Sequence, residues 1–255
     1  MKVLAVVVFV ALGLATASAD TKMVVRGSNM LTSQLAAPLA EAYGQKHPAA
    51  SFDIASSDED AVKTLIRGGT TVALSTRLTK EIYKVDSASD LPHPTAVAFV
   101  GLMLVANSAN GVDRVTGEQA EKIFTGKLKN WSALGGAGGP IILYAVRQNL
   151  TLLNDSVTVP VEDMSDDNQV AAAVAQDAHG LGFVTTLGLA GVKVLDLDEV
   201  KPSMATLRNR SYPFSWPIYF FTRGLPAGEA KDFLWYILSP EGQDVVEKAG
   251  FGSLK

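Results

Sequence analysis

The sequence has no cysteine among its 255 residues. This excludes disulfides, thiolate metal sites, iron–sulfur clusters, a cysteine nucleophile and a lipid-modified cysteine together. Histidine is scarce as well. His47, His93 and His179 stand far apart with no H-E-x-x-H or H-x-H pair, so no zinc centre is expected and each reads as a surface or loop residue. There is no G-x-S-x-G elbow and no G-x-G-x-x-G after a strand, and Gly126-Lys127 lacks both the upstream glycine and the following Ser or Thr of a P-loop. No cofactor is expected. Charge of one sign is also lacking: Lys+Arg is 22 against Asp+Glu 26, a net charge of -4, with no local basic patch. A nucleic-acid partner is therefore not expected.

Hydrophobic residues make up 47% of the chain, enough at this length for one large domain or two compact ones with a sizeable core. The N-terminus carries Lys2, then the apolar run Val3 to Leu14, then Ala17-Ser18-Ala19. That run is shorter than the roughly 20 residues a membrane span needs. Residues 1–19 read as a cleavable secretory signal peptide, with the mature chain starting at Asp20. The expected location is the periplasm, where disulfides are permitted but not required.

Short apolar segments alternate with helical spacings over the first third of the chain. Lys22 to Val25, Ser51 to Ile54 and Thr71 to Leu74 read as strands, and Leu35 to Tyr43 and Asp58 to Ile66 as helices, the second capped by Ser56 or Ser57. This β-α-β-α-β order is the signature of an open, mostly parallel α/β sheet. Ala96 to Val105 reads as one fully buried strand, and Thr116 to Phe124 as a helix capped by Thr116. Ile141 to Val146, Gly182 to Val184, Val192 to Leu195 and Ile218 to Thr222 are further strands. Asn168 to Asp177 and Glu229 to Leu238 are helical, and Asp244 to Ala249 closes the chain. The acidic cluster Glu162, Asp163, Asp166 and Asp167 lacks the spacing of an EF-hand and reads as a solvated helix entry.

Small hydroxyl residues recur where strands pass into helices: Ser28-Asn29, Ser56-Ser57 and Ser75-Thr76. Hydroxyls beside the unpaired N–H groups of a helix start make an oxyanion site without a net positive protein. Arg77 and Arg147 each follow a strand and could add a charge-assisted pair. The ordinary alternatives are helix caps and surface ion pairs.

Six blocks, in order, resemble the PstS-like phosphate-binding proteins of ABC importers. They are GSNMLTSQLAAPLAEAYGQKHP (27–48), DEDAVKTLIRGGTTVALSTR (58–77), IFTGKLKNWSALGG (123–136), GLGFV (180–184), YPFSWPIYF (212–220) and FLWYILSPEGQDVVEKAGF (233–251). The resemblance implies an α/β, two-lobed periplasmic-binding-protein-like (type II) fold, each lobe a mostly parallel sheet flanked by helices. Residues 20–98 plus 205–255 would form one lobe and 99–204 the other. It implies a monomer that binds inorganic phosphate or a similar oxyanion in the cleft, is not an enzyme, and meets an ABC permease in the inner membrane. Carried over residue by residue, the ligand-binding set is Ser28, Asn29, Ser56, Ser57, Ser75, Thr76, Arg77, Arg147 and Thr151, with Arg147 as the charge partner.

The sequence departs from the family pattern at three places. Met30 stands where a threonine is expected, Asp58-Glu59-Asp60 follow the serines of the second loop, and Gln148 to Leu153 replace a G-S-G-T after Arg147. Two alternatives follow. One is a same-fold binding or sensor protein whose phosphate site has changed or been lost, acting through another ligand or protein contacts. The other is an exported enzyme such as a phosphatase, for which the sequence supplies no nucleophile or metal set.

Overall fold

The computed structural model describes residues 22–57, 60–78, 92–153 and 156–255. The expected signal peptide, and Asp58 and Glu59 at the expected start of the second helix, lie outside them. The chain opens with β1 (Met23–Gly27), whose Met23, Val25 and Gly27 are buried in alternation. A π-helical turn (Met30–Ala36) leads into α1 (Ala37–Gly44). Then come β2 (Phe52–Ser56), α2 (Ala61–Ile66), β3 (Val72–Ser75), β4 (Pro92–Gly101), β5 (Met103–Asn107), β6 (Arg114–Val115) and α3 (Gly117–Phe124). A 3-10 turn (Trp131–Leu134) precedes β7 (Ile142–Ala145), and a second (Arg147–Leu153) precedes β8 (Glu162–Asp163). The rest is α4 (Asp167–Gln176), β9 (Gly180–Val184), β10 (Val192–Val194), β11 (Asp196–Leu197), α5 (Met204–Arg208), β12 (Ser215–Arg223), α6 (Gly228–Leu238) and α7 (Pro240–Lys248).

Two five-stranded sheets organise these elements, in the orders β2-β1-β3-β12-β4 and β10-β5-β9-β7-β8. Both are mixed. In the first, β1 pairs in parallel with β2 and β3, while β12 is antiparallel to β3 and β4. In the second, β7 is parallel to β8 and β9, while β5 is antiparallel to β9 and β10. Each sheet thus has four strands running one way and one reversed. The reversed strand is in each case the one by which the chain enters from the other sheet. Read from its own first strand, each sheet has the same order, second-first-third-reversed-fourth. The central strands β5 and β9 are buried throughout, as strands covered on both faces must be.

Ala96 to Val105 is two strands, not one. The chain leaves the first sheet at Gly101 and enters the second at Met103, with Leu102 alone between them. The run is apolar on both sides of the break because both strands are buried, so hydropathy carries no mark of it. The Leu102 N–H donates to the Phe214 carbonyl at 2.9 Å, which binds the outgoing crossover to the returning one. The buried Tyr212 hydroxyl donates to the Leu102 carbonyl at 3.2 Å, and a side chain at Gly101 would collide with Leu207.

Local signals decide several helix ends. Thr116 caps α3 as expected, with Gln119 completing a capping box. The cap of α2 is Asp60, not Ser56 or Ser57: its carboxylate accepts from Val62 N at 2.9 Å and Lys63 N at 3.3 Å. A carboxylate two and three residues before these donors reaches them, and the serines lie further back. His93 lies half-buried within β4 rather than in a loop, and Asp167 is buried rather than solvated as the sequence suggests.

Candidate functional site

The strand ends of both sheets open onto one cleft of about 300 Å³. From the first sheet come Gly27, Ser28, Met30 and Leu31 after β1, Ser57, Asp60 and Ala61 after β2, and Leu74 to Arg77 at the end of β3. Gln148, Asn149, Thr151 and Leu152, after β7, face them from the second sheet. Ligands of open α/β sheets sit at such carboxyl ends. Of the nine residues expected from the sequence, Ser28, Ser57, Ser75, Thr76, Arg77 and Thr151 line this cleft. Asn29, Ser56 and Arg147 are not among its lining residues.

Hydrogen bonds fix how these groups present themselves. The Ser28 hydroxyl accepts from Leu31 N at 3.4 Å, and the Ser75 hydroxyl from Arg77 N at 3.1 Å, which leaves each O–H to donate. The Arg77 guanidinium reaches across the cleft and donates to the Thr151 carbonyl at 3.3 Å. The Thr151 hydroxyl donates to the Gln148 carbonyl at 2.7 Å. Asp60 takes up the Val62 and Lys63 N–H groups of the first turn of α2.

Arg147 points elsewhere. Its backbone N–H and its Nε bond to Asp163 at 3.0 and 3.4 Å, and a terminal nitrogen donates to the Val161 carbonyl at 3.4 Å. Asp163 belongs to β8, the strand beside β7, so sheet pairing brings this carboxylate to the arginine.

The loop after β7 rests on a buried carboxylate. Asp167, at the start of α4, accepts from Thr185 N (2.7 Å), Thr185 Oγ1 (2.9 Å), Thr186 N (2.9 Å) and Asn149 Nδ2 (3.3 Å). It ties the end of β9 to the loop bearing Gln148, Thr151 and Leu152. Its neighbour Asp166 caps α4. The backbone N–H of Gln169, and then the Ser165 hydroxyl, hold the Asp166 carboxyl below the usual carboxylate range.

The expected set omitted Asp60, the amides Gln148 and Asn149, and the apolar wall of Met30, Leu31, Leu74 and Leu152. All flank the predicted loops by one to three residues, and polarity alone did not single them out. No group of three or more His, Asp or Glu is placed to hold a metal ion among the described residues. The arrangement offers hydroxyl donors, one guanidinium and one carboxylate to a small solute.

The phosphate-binding protein PstS of Bacillus subtilis is 26% identical over 245 residues, covering 91% of this chain and 81% of the relative. A substrate-binding protein from Clostridium perfringens solved with bound phosphate aligns over 92% of this chain and 100% of its own, with a TM-score of 0.75 at 24% identity. An ABC-type phosphate transport receptor from Vibrio cholerae gives a TM-score of 0.77 at 21% identity over 90% of this chain and 98% of its own. The regulatory domain of a LysR-family regulator from Neisseria meningitidis shares the fold at 10% identity, with a TM-score of 0.60 over 92% of this chain and 98% of its own. The architecture alone therefore does not choose between transport and regulation. Residues 14–241 match the family model described as the PBP superfamily domain, and the two-sheet topology agrees with it: the chain belongs to the PBP superfamily.

Proposed function

We propose that this chain is a solute-binding protein that holds phosphate or a related oxyanion in the cleft and presents it to an ABC permease. It acts by binding rather than catalysis, as a monomer exported by residues 1–19. The observation that carries the reading is the convergence of Ser28, Ser57, Ser75 and Thr76 with Arg77 at the strand ends of the first sheet, facing the Thr151 loop of the second. Hydroxyl donors with one charge-assisted donor can hold an oxyanion while the protein stays net negative. Arg77 is the charge partner in this reading, and Arg147 is a structural residue that fixes the loop after β7 through Asp163. Strand membership supports lobes close to 20–98 plus 205–255 and 99–204, with the first crossing at Leu102.

Calorimetric titration with inorganic phosphate tests this. The unaltered protein is expected to saturate, and Arg77→Ala to bind about ten- to hundredfold more weakly, the loss expected for one charge-assisted hydrogen bond. Arg147→Ala is expected to bind as the unaltered protein does. No heat at millimolar phosphate refutes the phosphate reading, and full affinity in Arg77→Ala refutes the assignment of the charge partner. The carboxylate of Asp60 in the wall favours a second reading, the same fold with a changed ligand.

A further inference from the structure

Resting on the reading of the cleft as an oxyanion site, we propose that its ligand is an organic oxyanion with a short apolar substituent, of the alkylphosphonate or alkyl phosphate class. Three observations point there. The cleft is about 300 Å³. A water molecule takes about 30 Å³ of liquid, so this open cleft has room for more than a bare tetrahedral oxyanion. Among the described residues the ionisable groups of its lining are Arg77 and Asp60, of opposite sign, so these two supply no net charge with which to desolvate a small, highly charged ion. Each loop contributes both kinds of side chain, but the densest group of donors is at one strand end and the apolar side chains Met30 and Leu152 lie on two other loops, beside Ser28 and Thr151. Ser75, Thr76 and Arg77 arrive from the end of β3, whereas Met30 comes from the loop after β1 and Leu152 from the loop after β7. The oxyanion head takes the β3 end, and the substituent lies between Met30 and Leu152, where removing it from water supplies affinity that the charges do not.

The test is a calorimetric series at neutral pH with inorganic phosphate and with methyl-, ethyl- and propylphosphonate. Each added methylene is expected to raise affinity about fourfold, so propylphosphonate binds about sixteenfold more tightly than methylphosphonate. Met30→Thr and Leu152→Thr, each shown by its melting curve to be folded, are expected to flatten that gradient. Phosphate binding most tightly, with affinity falling as the substituent grows, overturns the inference and leaves the oxyanion site standing. No binding of any of the four overturns both. A gradient that survives in both variants overturns the placement of the substituent between Met30 and Leu152.

Discussion

Replacing Asp167 separates a structural carboxylate from a ligand contact. The side chain is buried at 3% exposure and accepts four hydrogen bonds, two of them from the backbone N–H groups of Thr185 and Thr186. In Asp167→Ala these two backbone donors lose their acceptor. A buried unsatisfied donor costs about 1–3 kcal/mol, so the pair together costs about 4 kcal/mol. The Thr185 hydroxyl can rotate to another partner, so it adds little. In a chain of this size each kcal/mol moves Tm by about 2–4 °C, which places the alanine variant about 8–16 °C below the unaltered protein. Asp167→Asn keeps one oxygen for the Thr185 and Thr186 donors. Its new NH₂ faces Asn149, whose amide turns over to accept. What is lost is the charge assistance, about 1–2 kcal/mol, or about 2–8 °C. Scanning calorimetry on the three proteins reads both numbers. An alanine variant within about 2 °C of the unaltered protein, or an asparagine variant as unstable as the alanine, would falsify the account of Asp167 as an acceptor hub.

Acid should weaken the fold through carboxylates held by donors. Arg26 first, and then Lys22, hold Asp53 below its ordinary value of 3.8, with Arg26 at 3.2 Å and Lys22 at 3.3 Å. A folded-state pKa below the unfolded one stabilises above the unfolded value, and that contribution is lost as pH falls through the folded one. Urea midpoints should therefore hold above about pH 5 and fall below about pH 4, less steeply in Asp53→Asn; equal slopes in the two proteins refute the pairing. Gly242→Ala puts a methyl 2.1 Å from the Tyr236 carbonyl oxygen and 2.8 Å from the Ile237 Cα, both backbone atoms that cannot step aside. The variant should lose about 3 kcal/mol or more in denaturant unfolding, and an unchanged midpoint shows that α6 and α7 separate more freely than their contact implies.

The blocks that make the family legible are packing devices. In N-W-x-x-x-G-G, the Asn130 carboxamide accepts from Ser132 and Gly139, the Trp131 indole donates to the His179 carbonyl at 2.9 Å, and a side chain at Gly136 would meet Val112 and Trp131. In S-P-E-G-Q, Ser239 caps α7, Gly242 lets α6 and α7 touch, and the buried Gln243 bonds to Val97, Ile237 and Leu254. The residues named each answer to a packing or hydrogen-bonding contact between elements, so the fold can be read from them. Ligand loops have no such constraint. Arg77 and Arg147 each follow a strand and are indistinguishable locally. A carboxylate sixteen residues along the chain, brought near by sheet pairing, claims one and leaves the other facing the cleft. The cap of α2 is ambiguous in sequence for a related reason, since Ser57 and Asp60 are both good caps and only the course of the chain decides which reaches the helix. The residues that identify the fold and those that line the cleft are therefore separate sets. Met30 and Leu152 can stand in the cleft wall without disturbing Trp131, Gly242 or Gln243, so the fold can persist while its ligand changes.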